Sequence, residues 1–430
     1  MLDQLLKDYN EQLTRNGVDG RRLAERLTAL SEIGKTEAGG CRRIAFSPEE
    51  QQAKELVMGW MEEAGLQVTQ DGAGNVIGVL HGTSPERSVL SGSHVDSVPD
   101  GGHFDGPLGV LAALEVAEAW KTQGIQPVKT YEVIIFTDEE GARFQSGLTG
   151  SQAMTGQWEQ AAKAALSDTS GKSFESVLSE NDLSFQSFRE AERDFSTIDA
   201  FVEVHIEQGK RLEKEDLPVG IVQGIAGPSW LNVSFQGAAG HAGNTPMNDR
   251  RDALIAAGRF VSAVEVLPPK VSGTSVATVG KLEVKPNGVN VIPGEVNLTV
   301  DIRDIEEDSR DKLRDAIWLL AEEVAEDRGI DVEIEQVMYV APVKVKQDMQ
   351  DRAARALEKA IGRRTYFLPS GAGHDAMMVG RKTDVAMLFT RSQDGISHNP
   401  AEWSTLNDCV ETVHVLKELL EDLCGIRTEA

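Results

Sequence analysis

The sequence is short of cysteine, has no excess of positive charge and contains no long apolar run, and each shortage excludes something. Its three cysteines, Cys41, Cys409 and Cys424, lie far apart. They form no close-spaced metal motif, and an odd number precludes a complete set of internal disulfides. Basic residues number 43 against 69 acidic ones, a formal net charge of −26, which argues against nucleic acid or an anionic membrane as partner. No stretch approaches the roughly 18 uninterrupted apolar residues of a membrane-spanning helix. The opening MLDQLLKDYNEQL is amphipathic and acidic, without the basic segment, apolar core and cleavage site of a secretory signal. Internal repeats and low-complexity tracts are missing as well. The expectation is a soluble, cytoplasmic protein. Its acidic surface leaves room for a small anionic substrate, because a buried arginine can dominate the local field.

What is present is enough for more than one core. A chain of 430 residues with 40% hydrophobic and 26% charged content predicts two or three globular domains. Ser47-Pro48-Glu49-Glu50 reads as a helix start with Ser47 as N-cap and Glu50 completing a capping box, and Gly65 ends the run. Strands are expected at Leu66–Thr69, Asn75–Leu80, Ser88–Ser93, Tyr131–Phe136 and Phe201–His205, with a helix at Gly109–Trp120. This alternation predicts an α/β fold, a doubly wound mixed sheet with helices on both faces. Reactive groups then gather at the strand C-terminal ends, where His94, Asp138-Glu139-Glu140 and His205 fall. Around Leu217–Trp230 the chain becomes rich in glycine and proline. Beyond it the order βαββαβ predicts a smaller, inserted α+β domain of four strands and two helices. The expected division is 1–216 with 341–430 as one domain and 217–340 as the insertion.

Four of the eight histidines stand in unusual settings: His94, His205, His241 and His398. In His94-Val95-Asp96 the outer side chains share one side of an extended segment, so Asp96 can accept the spare N–H of a metal-bound His94 and fix its tautomer. Further on, Gly101-Gly102-His103-Phe104-Asp105-Gly106-Pro107 places a carboxylate in a tight turn before a helix, where it serves equally well as a helix cap. Three adjacent acids, Asp138, Glu139 and Glu140, follow a buried apolar strand, where cations must offset their charge unless the loop is fully solvated. Three histidines and two or three carboxylates suffice for a pair of borderline metals sharing one aspartate. Of Glu139 and Glu140, one can ligate while its neighbour acts as base. Imidazole and carboxylate suit Zn, Mn, Co or Ni alike.

At these residues the sequence resembles the metal-dependent aminoacylase and glutamate-carboxypeptidase superfamily. Within it, the chain is similar to the branch of N-carbamoyl-L-amino-acid hydrolases, allantoate amidohydrolases and β-ureidopropionases. The matching segments run from Gly92–Asp105 through Thr137–Phe144, Glu203–Gly209, Gly240–Arg251, Asn287–Pro293, Asp301–Arg303 and Gly371–Ala376 to Ser397–Trp403. His205 in its His-Ile-Glu-Gln-Gly context marks the branch, since peptidase relatives more often carry an acidic ligand there. The resemblance implies two divalent metal ions, one held by His94 and His205, the other by Glu140 and His398, with Asp105 bridging. It assigns Glu139 as general base and then acid, and His241 as the group polarising the scissile carbonyl, often across a dimer interface. It places Asn290 and Arg303 on the substrate carboxylate, with Gln208, Gly371 and Gly373 completing the pocket. Arg303 suits a carboxylate because its planar fork binds bidentately, although an ordinary salt bridge is the alternative; Gly240–Gly243 can likewise be a plain turn. His103 is expected near the site but not as a ligand, His374 beside it, and His81 and His414 without a role. The implied activity is metal-dependent hydrolysis of the carbamoyl C–N bond of N-carbamoyl-L-amino acids by a homodimer joined through the inserted lid domain. Allantoate hydrolysis, dipeptidase or aminoacylase activity, and non-catalytic ligand binding are the alternatives.

Overall fold

The computed structural model describes residues 1–426; residues 427–430, the end of the segment expected to close the first domain, lie outside the described residues. The chain forms two compact units. One comprises Met1–Val222, Val345–Leu368 and the chain from His374 onward; the other comprises Gln223–Lys344 with Pro369–Gly373.

The first unit is built on a mixed sheet whose four central strands are parallel. In spatial order they are Thr130–Phe136, Ser88–His94, Ile198–Ile206 and Asp384–Thr390. Antiparallel strands flank them, Val76–Leu80 beside Thr130–Phe136 and Val219–Ile225 beside Asp384–Thr390. Ser88–His94 and Thr130–Phe136 are buried at every residue, as expected of parallel strands covered on both faces. Register aligns His94 with Phe136 and His205 with Phe389, so the strands end at one level and the segments after them meet. That crossing of strand ends places the chemistry.

Local signals explain the helices. Pro48–Ala64 starts on Ser47, whose side chain accepts from the Glu50 N–H, and stops at Gly65 in the left-handed conformation. Glu50 departs from the expected capping box: its carboxylate takes the Phe46 N–H at 2.6 Å and pairs with buried Lys54. Pro107–Gln123 is buried along almost its whole length because it packs on the strands beneath it and against the helices Gly20–Ser31 and Leu406–Cys424. Its two buried acids, Glu115 and Glu118, are neutralised by Arg22 and Arg26 at 2.6 Å each. Four short helices between Thr149 and Glu190 were not legible in the sequence, since each is too short to show a helical period. Among the described residues, no helix is long and apolar enough to cross a membrane.

The change of character at Leu217–Trp230 contains two strands, Val219–Ile225 and the start of Gly227–Gln236; the chain leaves the first unit within the former. The second unit holds a four-stranded antiparallel sheet ordered Asp331–Tyr339, Gly227–Gln236, Glu295–Asp304, Val276–Lys285. Alternate residues of Glu295–Asp304 are buried, the period of a sheet covered on one face. The helices Ala253–Val264 and Glu307–Arg328 supply that cover, joining Leu231, Phe235, Phe260, Leu298, Leu313 and Ile317 in one core. Phe260 meets Phe235 edge-on at 5.6 Å. Phe260→Ala should therefore lower the free energy of unfolding by about 3–5 kcal/mol, read as a lower midpoint in denaturant.

Candidate metal centre

His94 and His205 are each oriented by a main-chain carbonyl. His94 closes its strand with the ring fully buried; Nδ1 lies 3.0 Å from the Asp96 carbonyl oxygen and 3.5 Å from the Asp96 carboxylate. The expected Asp96 carboxylate contact is thus the longer of the two. Its oxygens instead receive the main-chain N–H groups of Glu139 and Glu140, each at 3.2 Å, so Asp96 ties the histidine strand to the acidic loop. His205 repeats the arrangement, with Nδ1 3.0 Å from the Ile206 carbonyl. With Nδ1 set against a carbonyl, each ring turns Nε2 inward.

Those nitrogens converge on Asp105. Oδ1 lies 3.1 Å from His205 Nε2 and 3.6 Å from His94 Nε2. Oδ2 lies 3.5 Å from His398 Nε2, which is itself 3.4 Å from Glu140 Oε2. Two groups result, His94–Asp105–His205 and Asp105–Glu140–His398, with ligating atoms within 4.8 Å of one another in each. Asp105 belongs to both. Glu139 belongs to neither; its Oε2 is 3.7 Å from His94 Nε2. Gly106 is required beside this cluster: its φ is +81°, and a Cβ there would stand 2.4 Å from the His94 ring.

The donor set fits divalent cations. His94 Nε2 is buried with no hydrogen-bond partner, a state that costs free energy unless something binds it. Burial pushes Glu139 well above the usual carboxylate range, against the pull of His94, and pushes Glu140 up to about 8 with help from Asp105. Burial, reinforced by Asp96, likewise raises Asp138 to about 8. Burial opposes charge on His205, yet Asp105 raises it to about 9; burial likewise opposes ionisation of Asp105, yet His205 holds it well below its ordinary value. Without a cation the cluster keeps protons that nitrogen and oxygen ligands to a borderline metal must give up.

The other expected residues lie around the two groups or away from them. Gln208, expected in the substrate pocket, donates Nε2 to Asp105 Oδ2 at 2.8 Å and to Ser397 Oγ at 3.2 Å. Ser397 Oγ donates to the same Asp105 oxygen at 2.6 Å. His374 packs its buried ring 4.5 Å from that of His205 and is in neither ligand group. His103 contacts the Gly39 carbonyl, His414 the Leu13 carbonyl and His81 the Gln67 side chain. Sequence reasoning missed Glu203, which accepts from Ser93 Oγ at 2.8 Å and from the Ala376 N–H at 2.9 Å. Its signal was a charge two residues before His205 in an apolar strand, hence on the same face. Glu402 was missed too; no local pattern marks it.

In the second unit, His241 lies on a two-residue strand paired with Val291–Ile292. Its Nδ1 accepts from Gly243 N–H at 3.1 Å and Asn244 N–H at 3.2 Å, which leaves Nε2 as the protonated donor. The Asn290 carbonyl takes the Ala242 N–H at 3.0 Å, so these two expected residues are neighbours. Arg303 chelates Asp301 through Nε and Nη2 and donates Nη1 to the Gly371 carbonyl at 2.7 Å. Gly373 lies in the same returning segment.

With the geometry in place, comparison with known proteins is informative. The model of peptidase family M20/M25/M40 matches residues 90–422. An N-carbamoyl-L-amino acid amidohydrolase of Geobacillus stearothermophilus is 44% identical over 93% of this chain and 97% of its own length. An allantoate amidohydrolase of Bacillus subtilis is 35% identical over 92% of this chain and 95% of its own. Among solved structures, an amidase of the hydantoinase/carbamoylase family from Burkholderia multivorans superposes with a TM-score of 0.88 at 34% identity, covering 95% of this chain and 98% of that one.

Folded Glu140 and Asp138 keep their protons to about 8, against ordinary values of 4.5 and 3.8, and folded His205 keeps its proton to about 9 against 6.5. Without metal the folded state therefore binds more protons than the unfolded state, and stability falls as pH rises. Chelator-treated protein should lose thermal stability as pH rises from about 4 to about 9, and added Zn²⁺ or Mn²⁺ should restore it. A melting temperature that is flat across that window and indifferent to metal would contradict the site.

Proposed function

The chain belongs to peptidase family M20/M25/M40, whose members are metal-dependent hydrolases, and from that premise we propose that it cleaves the carbamoyl C–N bond of N-carbamoyl-L-amino acids, releasing the amino acid, ammonia and carbon dioxide. The observation that carries the substrate is the 44% identity over nearly the full length of an N-carbamoyl-L-amino acid amidohydrolase. What supports the reaction type is the pair of ligand groups sharing Asp105, beside a carboxylate, Glu139, that neither group uses.

In this reading His94 and His205 hold one divalent cation, Glu140 and His398 hold another, and Asp105 is common to both. When bound, such cations (Zn, Mn, Co or Ni) supply Lewis acidity that polarises a carbonyl and acidifies water. Glu139, buried and kept basic by its setting, takes the proton of the attacking water and returns it to the departing amino-acid nitrogen. His241 Nε2–H donates to the oxygen on which negative charge develops. Arg303 and Asn290 receive the substrate carboxylate, with Asp301 presetting the arginine fork and the Gly371–Gly373 backbone alongside. Gln208 acts through Asp105 rather than on substrate. The carbamate released from the amine breaks down to ammonia and carbon dioxide, which balances the reaction. A homodimer formed through the second unit and a cytoplasmic location belong to the same reading.

Allantoate is the second substrate to consider, because the Bacillus subtilis allantoate amidohydrolase is 35% identical over most of both chains. Both substrates present a ureido carbon and a carboxylate, the two groups that this reading engages. A panel of N-carbamoyl-L-amino acids, allantoate, N-acyl amino acids and dipeptides, run on metal-reconstituted protein, decides between them; turnover of N-carbamoyl-L-amino acids should exceed the rest. Glu139→Gln should lower kcat by about 10²–10⁴-fold while metal content stays at the wild-type value, and full turnover in that variant would remove Glu139 from the mechanism.

A further inference from the structure

Two ligand-bearing segments lie about 298 positions apart in the first unit's sequence, the turn 102–106 and the loop 397–403. One side chain joins them. Just past His398, Asn399 Oδ1 accepts the Ala401 N–H at 2.9 Å and the Asn399 carbonyl accepts the Glu402 N–H at 3.0 Å. That turn carries the chain from a half-exposed histidine to a glutamate only 2% exposed. Glu402 Oε1 then accepts two consecutive main-chain N–H groups, Phe104 at 2.9 Å and Asp105 at 3.1 Å. Its Oε2 lies 3.3 Å from Ser397 Oγ, the hydroxyl that donates to Asp105 Oδ2. The Trp403 and Phe104 rings meet edge-on at 5.4 Å and close the joint. Gly102 is shaped to this carboxylate, since a Cβ there would stand 2.1 Å from Glu402 Cδ and Oε1.

From this geometry we propose that Glu402 is the positioning residue for the shared metal carboxylate: it fixes the main chain of Asp105 from behind and ties it to the segment that carries His398. The inference rests on the metal reading of the preceding subsection. Glu402 belongs to neither ligand group, so it acts through Asp105 alone. A purely structural joint would be poorly served by this residue. A buried carboxylate beside Asp105 adds negative charge to a site already crowded with it, and apolar filling holds a fold together at less electrostatic cost. A carboxylate oxygen is suited to one task here: a single acceptor can seat two adjacent amides and so set the direction in which the Asp105 side chain leaves the backbone. Because Asp105 serves both cations, its misplacement is felt at both, whereas loss of His398 is felt at one.

The test uses full-length protein stripped with a chelator and titrated with Co²⁺ and Zn²⁺, reading stoichiometry by elemental analysis, affinity by competition with a chromophoric chelator, and the Co²⁺ visible spectrum. Glu402→Gln keeps an oxygen for the two amides and should bind both cations within about threefold of wild type. Glu402→Ala and Glu402→Leu, which cannot accept, should lose about 10–100-fold in affinity for both cations and change the Co²⁺ spectrum while unfolding cooperatively. His398→Ala, by contrast, should weaken one equivalent. Wild-type affinity and spectrum in the alanine and leucine variants would overturn the proposal. So would metal loss in the glutamine variant, which decides alone if the other two do not fold. Wild-type protein that takes up no cation would defeat the metal reading itself, and this inference with it.

Discussion

The site is organised around one carboxylate that three imidazoles approach. Asp105 presents Oδ1 to His205 and His94 and Oδ2 to His398, and the two oxygens of a carboxylate let it face two cations at once. Everything near it serves to hold that carboxylate in place. Gln208 and Ser397 donate to Oδ2, Glu402 grips the main chain behind it, and Gly106 gives the His94 ring room to lie alongside. Interactions of this kind orient ligands and tune their basicity, and they account for much of a metal site's affinity.

The sheet provides the rigidity that such a site needs. His94 and His205 end two adjacent parallel strands and the acidic triplet follows a third, so strand registry fixes the separations of their backbones before any side chain is considered. Two buried lysines answer buried acids of the first unit, and Lys163 is the one that acts on the acidic loop. Lys54 pairs with Glu50, and Lys163 donates to Thr149, whose hydroxyl donates to Asp138. The same low-dielectric surroundings raise the pKa of Glu139, the direction that the proposed general base requires.

The second unit follows a simpler principle. Its four-stranded sheet buries alternate residues against two helices, while the groups assigned to substrate sit on turns and a strand end. His241 and Asn290 are brought side by side by a two-residue ladder, a pairing too short to leave any trace in the sequence. Arg303 and Asp301, two residues apart on one strand, share a face because of the strand period.

The sequence alone determined the alternation of strands and helices, the βαββαβ order of the second unit, and the residues from which the metal groups are drawn. Those features are local: hydrophobic period, cap residues, and histidines or acids set against apolar runs. Tertiary structure decided whatever depends on which strands become neighbours. It made Asp105 common to two groups, turned the Asp96 carboxylate onto the acidic loop rather than chiefly onto His94, and set the Gln208 amide on Asp105. It also brought Glu402 to the amide of Asp105. A hydrogen bond between residues hundreds of positions apart has no periodicity to betray it, and it exists only once the sheet has fixed where both segments lie.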